Sequence, residues 1–260
     1  MNQAYGSKKI AKYRLDQLLY MRGYTESRER AKALVLSGGV MVDGVKIDNA
    51  GAKVHSNAEI VLLKSPLLYV SRGGLKLAGA IEHFNIEVRE KIAIDVGAST
   101  GGFTDCLLKK GAARVYAVDV GYGQLAWTLR QDPRVVVLER RNIRHLQKEA
   151  IPEQVDLITI DVSFISLEKV IPVVQSWLKT DGALIALIKP QFEVGKDALG
   201  KGGIVRDAKQ REEVVGRIID KGIEWGLKKQ GVIQSPIKGQ KGNVEIFVYF
   251  QPRLDQSFLK

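Results

Sequence analysis

The sequence predicts an α/β protein whose main domain is a doubly wound, mostly parallel sheet of seven strands, preceded by a small α+β domain. Three observations lead to this prediction. From residue 91 onward, apolar runs that suit buried strands alternate with segments of helical spacing. The first such run, Ile92–Val96, passes directly into a glycine turn and a helix start. Two apolar runs near residue 250 suit a closing hairpin. Strands and helices in alternation are typical of a sheet covered by helices on both faces.

The bulk composition of the 260-residue chain restricts the class of protein. With 45% hydrophobic residues the chain can bury a core, and its length allows one large and one small domain. The formal net charge of +11 favours an anionic partner, either nucleic acid or an acidic membrane surface. No apolar run approaches the roughly 20 residues of a membrane helix. The N-terminal lysines are not followed by the apolar segment of a signal peptide. We therefore expect a cytoplasmic protein without a membrane partner.

Changes in composition along the chain predict five segments. These are a basic tail (1–9), a compact unit (10–64), a linker (65–71), the sheet domain (72–252) and a short tail (253–260). Pro66 supports the linker because a proline disfavours helix at the residue before it.

The compact unit is predicted to hold two helices followed by short strands. The helices are Leu15–Met21 and Ser27–Ser37, and the strands are Val40–Val42, Val45–Ile47 and Ile60–Leu63. Asp43-Gly44 between two apolar pairs is a hairpin signal. Eleven lysines and arginines stand against six acids in residues 1–64, so this part of the chain is basic.

Three short motifs of the compact unit are similar to a known RNA-binding domain. They are Arg14-Leu15-Asp16-Gln17-Leu18-Leu19, Ser27-Arg28-Glu29-Arg30-Ala31-Lys32 and Gly38-Gly39-Val40-Met41-Val42-Asp43-Gly44. In order and spacing they resemble the S4 domain, which implies that basic residues grip RNA backbone. The candidates are Arg14, Arg28, Arg30 and Lys32, with Arg72 added from the start of the sheet domain. The alternative is a solvated charged face, because Glu29 is interleaved among these residues.

The sheet domain begins with a predicted helix at Arg72–Phe84, in which Leu75, Leu77, Ala78 and Ile81 face inward. The seven predicted strands are Ile92–Val96, Arg114–Val120, Val135–Leu138, Leu157–Val162, Ala183–Lys189, Val232–Ser235 and Val244–Phe250. The predicted helices between them are Thr104–Lys109, Gln124–Arg130, Leu167–Leu178 and Asp207–Trp225.

The glycine turn after the first of these strands predicts a cofactor cradle. The segment reads Asp95-Val96-Gly97-Ala98-Ser99-Thr100-Gly101-Gly102-Phe103, which differs from the dinucleotide pattern G-x-G-x-x-G. Glycines let the backbone approach a ligand, and the N–H groups of the helix start face it. Asp95 can hold the ammonium of an amino-acid-bearing cofactor, which points to S-adenosylmethionine. A purely structural turn is the alternative.

Polar residues follow the other strands and should meet at the carboxyl edge of the sheet. Asp119 is placed to accept hydrogen bonds from ribose hydroxyls, although it could instead cap a turn, and Asn142 suits an adenine edge. Asp161 and Lys189 end neighbouring strands and could form an ordinary ion pair. A more specific hypothesis joins them with Lys76 and Glu245. A lysine beside another lysine and away from water gives up a proton more readily, which suits removal of a proton from a ribose 2′-hydroxyl.

The sheet domain resembles the ribose 2′-O-methyltransferases of the FtsJ/RrmJ type. The resemblance rests on Ser71-Arg72-Gly73-Gly74-Leu75-Lys76-Leu77, Asp95-Val96-Gly97-Ala98, Gly101-Gly102-Phe103, Asp161, Ile188-Lys189-Pro190 and Val244-Glu245-Ile246. Joined to an S4-like unit, this order is similar to the TlyA family of ribosomal RNA methyltransferases, historically labelled haemolysins. The resemblance covers residues 10–251 and departs from the simpler FtsJ pattern at Ser99-Thr100 and Asn142.

The resemblance implies a set of functional residues and partners. The implied catalytic residues are Lys76, Asp161, Lys189 and Glu245, and the implied cofactor contacts are Asp95, Gly97, Ala98, Gly101, Gly102, Phe103, Asp119, Asn142 and Asp161. The implied cofactor is S-adenosylmethionine, and the implied substrate is ribosomal RNA or ribosomal subunits. The alternatives are a membrane-active haemolysin and an RNA-binding assembly factor that has lost its activity.

The remaining reactive residues do not predict a metal or thiol site. The single cysteine, Cys106, lies on a predicted helix among apolar residues and is expected in the core. The three histidines are scattered along the chain, so no metal requirement is expected. The glycine- and lysine-rich segment Phe192–Arg206 is a candidate mobile lid, or alternatively a surface connection.

Overall fold

The computed structural model describes residues 11–25, 27–63, 68–194, 199–200 and 202–253. The chain divides into two compact units, one ending at Leu68 and the other beginning at Tyr69. This division falls within the predicted linker. The predicted basic tail at 1–9, linker residues 65–67 and tail residues 254–260 lie outside the described part of the chain.

The first unit packs two helices on a small antiparallel sheet. Its elements are β1 (Lys12–Arg14), α1 (Leu15–Met21), α2 (Arg28–Leu36), β2 (Val40–Val42), β3 (Val45–Ile47), β4 (Lys53–His55) and β5 (Ile60–Leu62). Strand β2 is central, with β3 and β5 at its sides, and β1 pairs with β4 in a second sheet. The sequence did not predict β1 and β4, because each has only one apolar or aromatic residue, placed between two basic or polar ones.

The core of the first unit follows from the amphipathic spacing of its helices. Leu15, Leu19 and Val35 are fully buried and pack against Val40 of the central strand. The Oγ of Ser27 accepts a hydrogen bond from the backbone N–H of Arg30 at 3.2 Å. This bond satisfies one of the free amides at the start of α2 and fixes where that helix begins.

The second unit is built on the predicted seven-stranded sheet. Its strands are β6 (Ile92–Val96), β7 (Arg114–Val118), β8 (Val135–Leu138), β9 (Val155–Ile160), β10 (Leu178–Ile188), β11 (Leu227–Gln234) and β12 (Ile246–Pro252). Their order is β11-β12-β10-β9-β6-β7-β8, and β12 alone runs in the direction opposite to the other six strands. The predicted fold class is therefore confirmed.

Helices cover both faces of this sheet. They are α3 (Gly73–His83), α4 (Gly102–Lys109), α5 (Trp127–Arg130), α6 (Ile171–Val174), α7 (Pro190–Glu193) and α8 (Ala208–Glu224). Successive strand residues point to opposite faces. Ala93 of β6 accordingly packs in the cluster with Leu77 of α3 and Leu107 of α4, whereas Ile94 packs in the cluster with Ile218 of α8.

Three predictions about helices were wrong in detail. The segment predicted as a helix over Gln124–Arg130 forms only the four-residue helix Trp127–Arg130. The segment predicted as one helix, Leu167–Leu178, is split into short turns of 3₁₀ helix at Leu167–Lys169 and Gln175–Trp177 on either side of α6. Pro172 donates no backbone hydrogen bond, and neighbouring β-branched residues disfavour a long helix. In α3, Leu75 is exposed, because the buried face runs through Leu77, Ala80 and Ile81.

No helix in the described ranges is both long and apolar enough to span a membrane. No cluster of three or more His, Cys, Asp or Glu side chains suited to a metal ion occurs among the described residues. Cys106 is fully buried between α4 and its neighbours, as the spacing predicted.

Candidate active site

Strand register brings three predicted residues to one edge of the sheet. In the parallel pairing of β9 with β10, Asp161 directly follows the end of β9, and Lys189 directly follows the end of β10. In the antiparallel pairing of β10 with β12, Ile188 lies opposite Ile246. Glu245, just before Ile246, therefore lies next to Lys189 in the register.

The four predicted catalytic residues form two ion pairs at this edge. Lys76 Nζ lies 2.6 Å from Glu245 Oε2, and Lys189 Nζ lies 2.6 Å from Asp161 Oδ1. The side chains of Lys76 and Glu245 are only 12% and 3% exposed. Partly buried charges of this kind need a partner to offset the loss of water. Each lysine of the predicted set thus has its own carboxylate.

The ammonium of Lys189 is also held by a hydroxyl that the sequence did not single out. It donates a hydrogen bond to Ser163 Oγ at 2.9 Å. Its contact with Asp161 is a close ion pair that lacks hydrogen-bond alignment, so Asp161 Oδ1 accepts no hydrogen bond within the described structure. Ser163 therefore fixes the direction of the amine, and Asp161 supplies the balancing charge.

A tight turn locks the carboxylate of Glu245. The backbone N–H of Gly239 donates to Asn243 O at 2.9 Å, and Ser235 N–H donates to Glu245 O at 2.9 Å. A Cβ atom at Gly239 would collide with the Glu245 carboxylate. A side chain at this position would displace the carboxylate that pairs with Lys76.

The glycine turn after β6 is shaped by two glycines. Gly97 and Gly101 have φ angles of +86° and +94°, in the left-handed region that favours glycine. A Cβ atom on Gly97 would lie 2.5 Å from the carbonyl oxygen of Asp161, and one on Gly101 would collide with Leu129. The turn therefore has room for no residue larger than glycine at these two positions.

The other predicted cofactor contacts in this turn pack in the protein core. Ala98 and Phe103 are 7% and 3% exposed, and the Phe103 ring lies 6.1 Å from that of Phe247, measured between centroids. A Cβ atom on Gly102 would collide with Ser71, so this glycine allows α3 and α4 to pack closely. Any contact of Ala98, Gly102 and Phe103 with a cofactor falls to the backbone, and that role stays a prediction.

Asp95 is a buried acid with one unused oxygen. Its Oδ2 accepts a hydrogen bond from Thr104 Oγ1 at 2.6 Å, whereas its Oδ1 has no hydrogen-bond partner among the described residues. Burial raises the pKa of Asp95 to about 7, and the negative charge of Asp161 acts in the same direction, against the Thr104 hydrogen bond. A cationic group placed beside Oδ1 would satisfy both the free oxygen and the charge.

The predicted ribose and adenine residues lie at the ends of β7 and β8. Asp119 accepts the backbone N–H of Ser99 at 2.8 Å on Oδ2 and that of Gly121 at 2.6 Å on Oδ1. Each oxygen keeps a second lone pair, so both can still accept a hydrogen bond from a ribose hydroxyl. Asn142 Oδ1 accepts the backbone N–H of Arg144 at 3.1 Å. Asn142 therefore begins a short helix, and its contact with adenine stays a prediction.

An exposed aromatic ring stands beside the lysine–carboxylate pairs. Phe164 is 90% exposed, has a φ angle of +64°, and its ring lies 4.8 Å from that of Phe192. A bulky residue in the left-handed region is strained, which is most common at functional sites. The sequence signal for Ser163 and Phe164 was their place directly after the end of β9, but no role was predicted for them.

The predicted RNA-binding residues are divided between the two units. In the first unit, Arg14 and Arg28 lie 3.0 and 3.5 Å from Asp16, and the side chain of Lys32 is exposed. Arg30 lies near the start of α2. In the second unit, Arg72 is exposed and donates to Lys238 O at 3.4 Å. The paired carboxylate of Asp16 holds two of these guanidinium groups in place.

The predicted lid is described only in part, because residues 195–198 and 201 lie outside the described residues. Asn243 ties the rest of the segment to the turn beside Glu245. Its Nδ2 donates to Gly203 O at 3.2 Å, and its Oδ1 accepts the Val205 N–H at 3.3 Å. Motion of the lid stays a prediction.

Comparison with known families gives the class of the protein. Residues 69–252 match the FtsJ-like methyltransferase family, and residues 14–60 match the S4 domain. The molecule is a methyltransferase whose catalytic domain follows an S4 domain.

The chain belongs to the TlyA proteins of the FtsJ-like methyltransferase family. It is 46% identical over 245 residues to the "16S/23S rRNA (cytidine-2'-O)-methyltransferase TlyA" of Mycobacterium tuberculosis, covering 94% of this chain and 91% of that protein. It is 44% identical over 238 residues to "Hemolysin A" of Brachyspira hyodysenteriae, covering 91% and 99%. Among solved structures, the "Putative hemolysin from Streptococcus thermophilus" is 41% identical with a TM-score of 0.73, covering 95% of this chain and 90% of that one.

Proposed function

We propose that the protein transfers a methyl group from S-adenosylmethionine to a ribose 2′-hydroxyl of ribosomal RNA. The observation that carries the proposal is the pairing of Lys76 with Glu245 and of Lys189 with Asp161 at one edge of the sheet. The Mycobacterium tuberculosis relative is named a 16S/23S rRNA (cytidine-2'-O)-methyltransferase, which supports the same reaction.

The residues around the glycine turn fit this cofactor. The free Oδ1 of Asp95 suits the ammonium of its amino-acid part. Gly97 and Gly101 keep two positions of the turn that follows Asp95 free of side chains. Asp119 keeps acceptor capacity for the ribose hydroxyls. When bound, S-adenosylmethionine supplies a methyl group on a positively charged sulfur, which leaves as a neutral thioether.

Lys189 acts on the hydroxyl that receives the methyl group. In its neutral form the amine accepts the 2′-hydroxyl proton as the oxygen–carbon bond forms, so the positive charge moves from sulfur to nitrogen. Asp161 then balances the new ammonium at 2.6 Å, and Ser163 holds it in direction. Lys76, fixed by Glu245, positions the ribose oxygens by donating hydrogen bonds.

The two units divide the work of binding RNA. Arg14, Arg28, Arg30 and Lys32 of the S4 domain contact phosphates with little dependence on sequence. Phe164 offers an exposed ring on which the base of the target nucleotide can stack. A ribosomal substrate makes the cytoplasm the expected place of action.

The test is to compare ribosomal RNA from cells with and without the protein. Ribose methylation protects the adjacent phosphodiester from alkaline cleavage, so a gained methyl group appears as a gap in the cleavage ladder. We expect one or more gaps that vanish in the deletion strain and return with the wild-type protein. Identical ladders in all strains would contradict the proposal. The remaining interpretation would then be an RNA-binding assembly factor without transferase activity.

The name of the Brachyspira hyodysenteriae relative, "Hemolysin A", favours a second candidate function, lysis of red blood cells. Purified protein can be added to washed erythrocytes and the released haemoglobin measured. Lysis that survives the Lys189→Ala substitution would support this candidate as an activity separate from methyl transfer.

A further inference from the structure

An exposed tyrosine ring is stacked on an arginine beyond the ends of β7 and β8. Arg140 Cζ lies 4.1 Å from the centre of the Tyr122 ring, and Tyr122 is 68% exposed. The two loops that carry these residues are joined through their backbones. Arg140 N–H donates to Gly121 O, and Arg141 N–H donates to Asp119 O, both at 3.0 Å. The two stacked side chains thus belong to loops that backbone hydrogen bonds join to each other.

The surroundings of this stack are strongly basic. Three exposed arginines follow β8: Arg140, Arg141 and Arg144. The nearby carboxylates are already occupied, because Asp119 accepts two backbone amides and Glu139 binds Arg130 and one backbone amide. No carboxylate in the described ranges lies within ion-pair distance of the three arginines. Their charge is available to an anionic partner.

We infer that Tyr122, Arg140, Arg141 and Arg144, named here the arginine–tyrosine surface, bind the RNA strand that flanks the target nucleotide. The inference rests on the proposed function. A guanidinium already stacked on a ring loses little freedom when it binds a phosphate. The tyrosine ring offers a π-face to an unpaired base. One surface thus provides the two contacts that single-stranded RNA requires.

The position of the surface fits a strand that also enters the proposed active site. Both lie at the carboxyl edge of the same sheet, and β7 is three strands from β10. At about 4.8 Å per strand the separation is about 14 Å. Stacked nucleotides advance about 3.4 Å each, so roughly four of them bridge this distance. The surface can therefore contact RNA about four nucleotides away from the target nucleotide.

The experiment separates RNA binding from cofactor binding in the full-length protein. Binding of deproteinised ribosomal RNA is measured by filter retention, binding of S-adenosylmethionine by equilibrium dialysis, and methyl transfer by label incorporation. Tyr122→Ala and Arg140→Ala should each weaken RNA binding and raise the KM for RNA about tenfold. Their cofactor dissociation constants should stay within twofold of wild type. Arg140→Ala should also reduce the salt dependence of RNA binding by about one unit of slope.

Two further variants serve as controls. Tyr122→Phe keeps the ring and should bind RNA as the wild type does. Arg114→Ala removes an arginine from the opposite end of β7, where it is paired with Glu153 at 2.7 Å, and should leave RNA binding unchanged.

Two results would overturn the inference. One is RNA binding that is unchanged in both alanine variants. The other is a loss confined to the cofactor, which would assign the surface to the cofactor pocket. Failure of the proposed function would give a different result, because the wild-type protein would then transfer no methyl group to ribosomal RNA. The filter assay would still show whether the alanine variants bind RNA more weakly than the wild type.

Discussion

Lys76 Nζ and Glu245 Oε2 lie 2.6 Å apart, although 169 positions of the chain separate the two residues. The lysine belongs to the helix that precedes the sheet, and the glutamate comes directly before β12. Both side chains are nearly buried. The proposed reaction depends on this contact, because it holds one amine beside the edge where Lys189 and Asp161 meet.

Removal of either partner of this pair should destabilise the protein. Lys76→Met leaves a buried carboxylate without a counter-charge, and Glu245→Gln leaves a buried ammonium. Each should lower the free energy of unfolding by about 3 kcal/mol. The double variant should lose clearly less than the sum of the two, yet transfer no methyl group. Urea unfolding and label transfer measure the two effects, and strictly additive losses would show that the pair is not coupled.

Lys189→Ala should abolish methyl transfer while cofactor and RNA binding stay close to wild type. Loss of a general base costs about 10²- to 10⁴-fold in rate. A matched control lies at the other end of the same strand, where Lys179 pairs with Asp156 at 2.7 Å. Lys179→Ala should retain its activity, as measured by label transfer to ribosomal RNA. Near-normal transfer by Lys189→Ala would remove this residue from its proposed role.

Asp95 should make stability depend on pH in an unusual direction. Its pKa is raised by burial from 3.8 to about 7, so between these values the folded state binds more protons than the unfolded state. The contribution of Asp95 to stability is therefore full below pH 4 and is lost as the pH rises to 7. The thermal stability of Asp95→Asn relative to wild type should therefore rise between pH 4 and pH 7 and stay constant at higher pH. A stability difference that does not change between pH 4 and pH 7 would contradict the raised pKa.

Asp132 provides the opposite case for the same experiment. The hydrogen bond from Arg134 lowers the pKa of Asp132, so its contribution to stability is present above pH 4 and is lost as the pH falls below its lowered value. Asp132→Asn should therefore be less stable than wild type at neutral pH, and the difference should shrink in acid.

Gly97→Ala should disrupt the cofactor turn. The new methyl group would lie 2.5 Å from the carbonyl oxygen of Asp161, in a backbone conformation that alanine avoids. Gly123→Ala is the matched control, because Gly123 has a φ angle of +71° but a methyl group added there would meet no atom within 4 Å. The control should cost about 1 kcal/mol and keep cofactor binding. Gly97→Ala should cost more and lose cofactor binding, as calorimetry can measure, and equal effects of the two substitutions would contradict the close approach.

Much of the fold could be predicted because its signals are local. Ile92–Val96 and Val135–Leu138 have the predicted bounds. The first is an apolar run that ends with Asp95-Val96 before a glycine turn, and the second is a continuous apolar run between Arg134 and Glu139. The segment after Leu167 was mistaken for one helix, because apolar residues at helical spacing do not reveal where Pro172 and β-branched neighbours interrupt it. The strand β10 consequently begins five residues before its predicted start.

Local sequence was enough to establish the alternation of strands and helices, the glycine turn after Asp95 and the kinds of side chain at the strand ends, because each depends on residues that are neighbours in the chain. The pairing of each lysine with its carboxylate, the hydrogen bond from Lys189 to Ser163 and the stacking of Tyr122 on Arg140 emerged from the folded molecule alone. Those contacts join residues from different elements. They exist only once strand register and helix packing have fixed the distances between those elements.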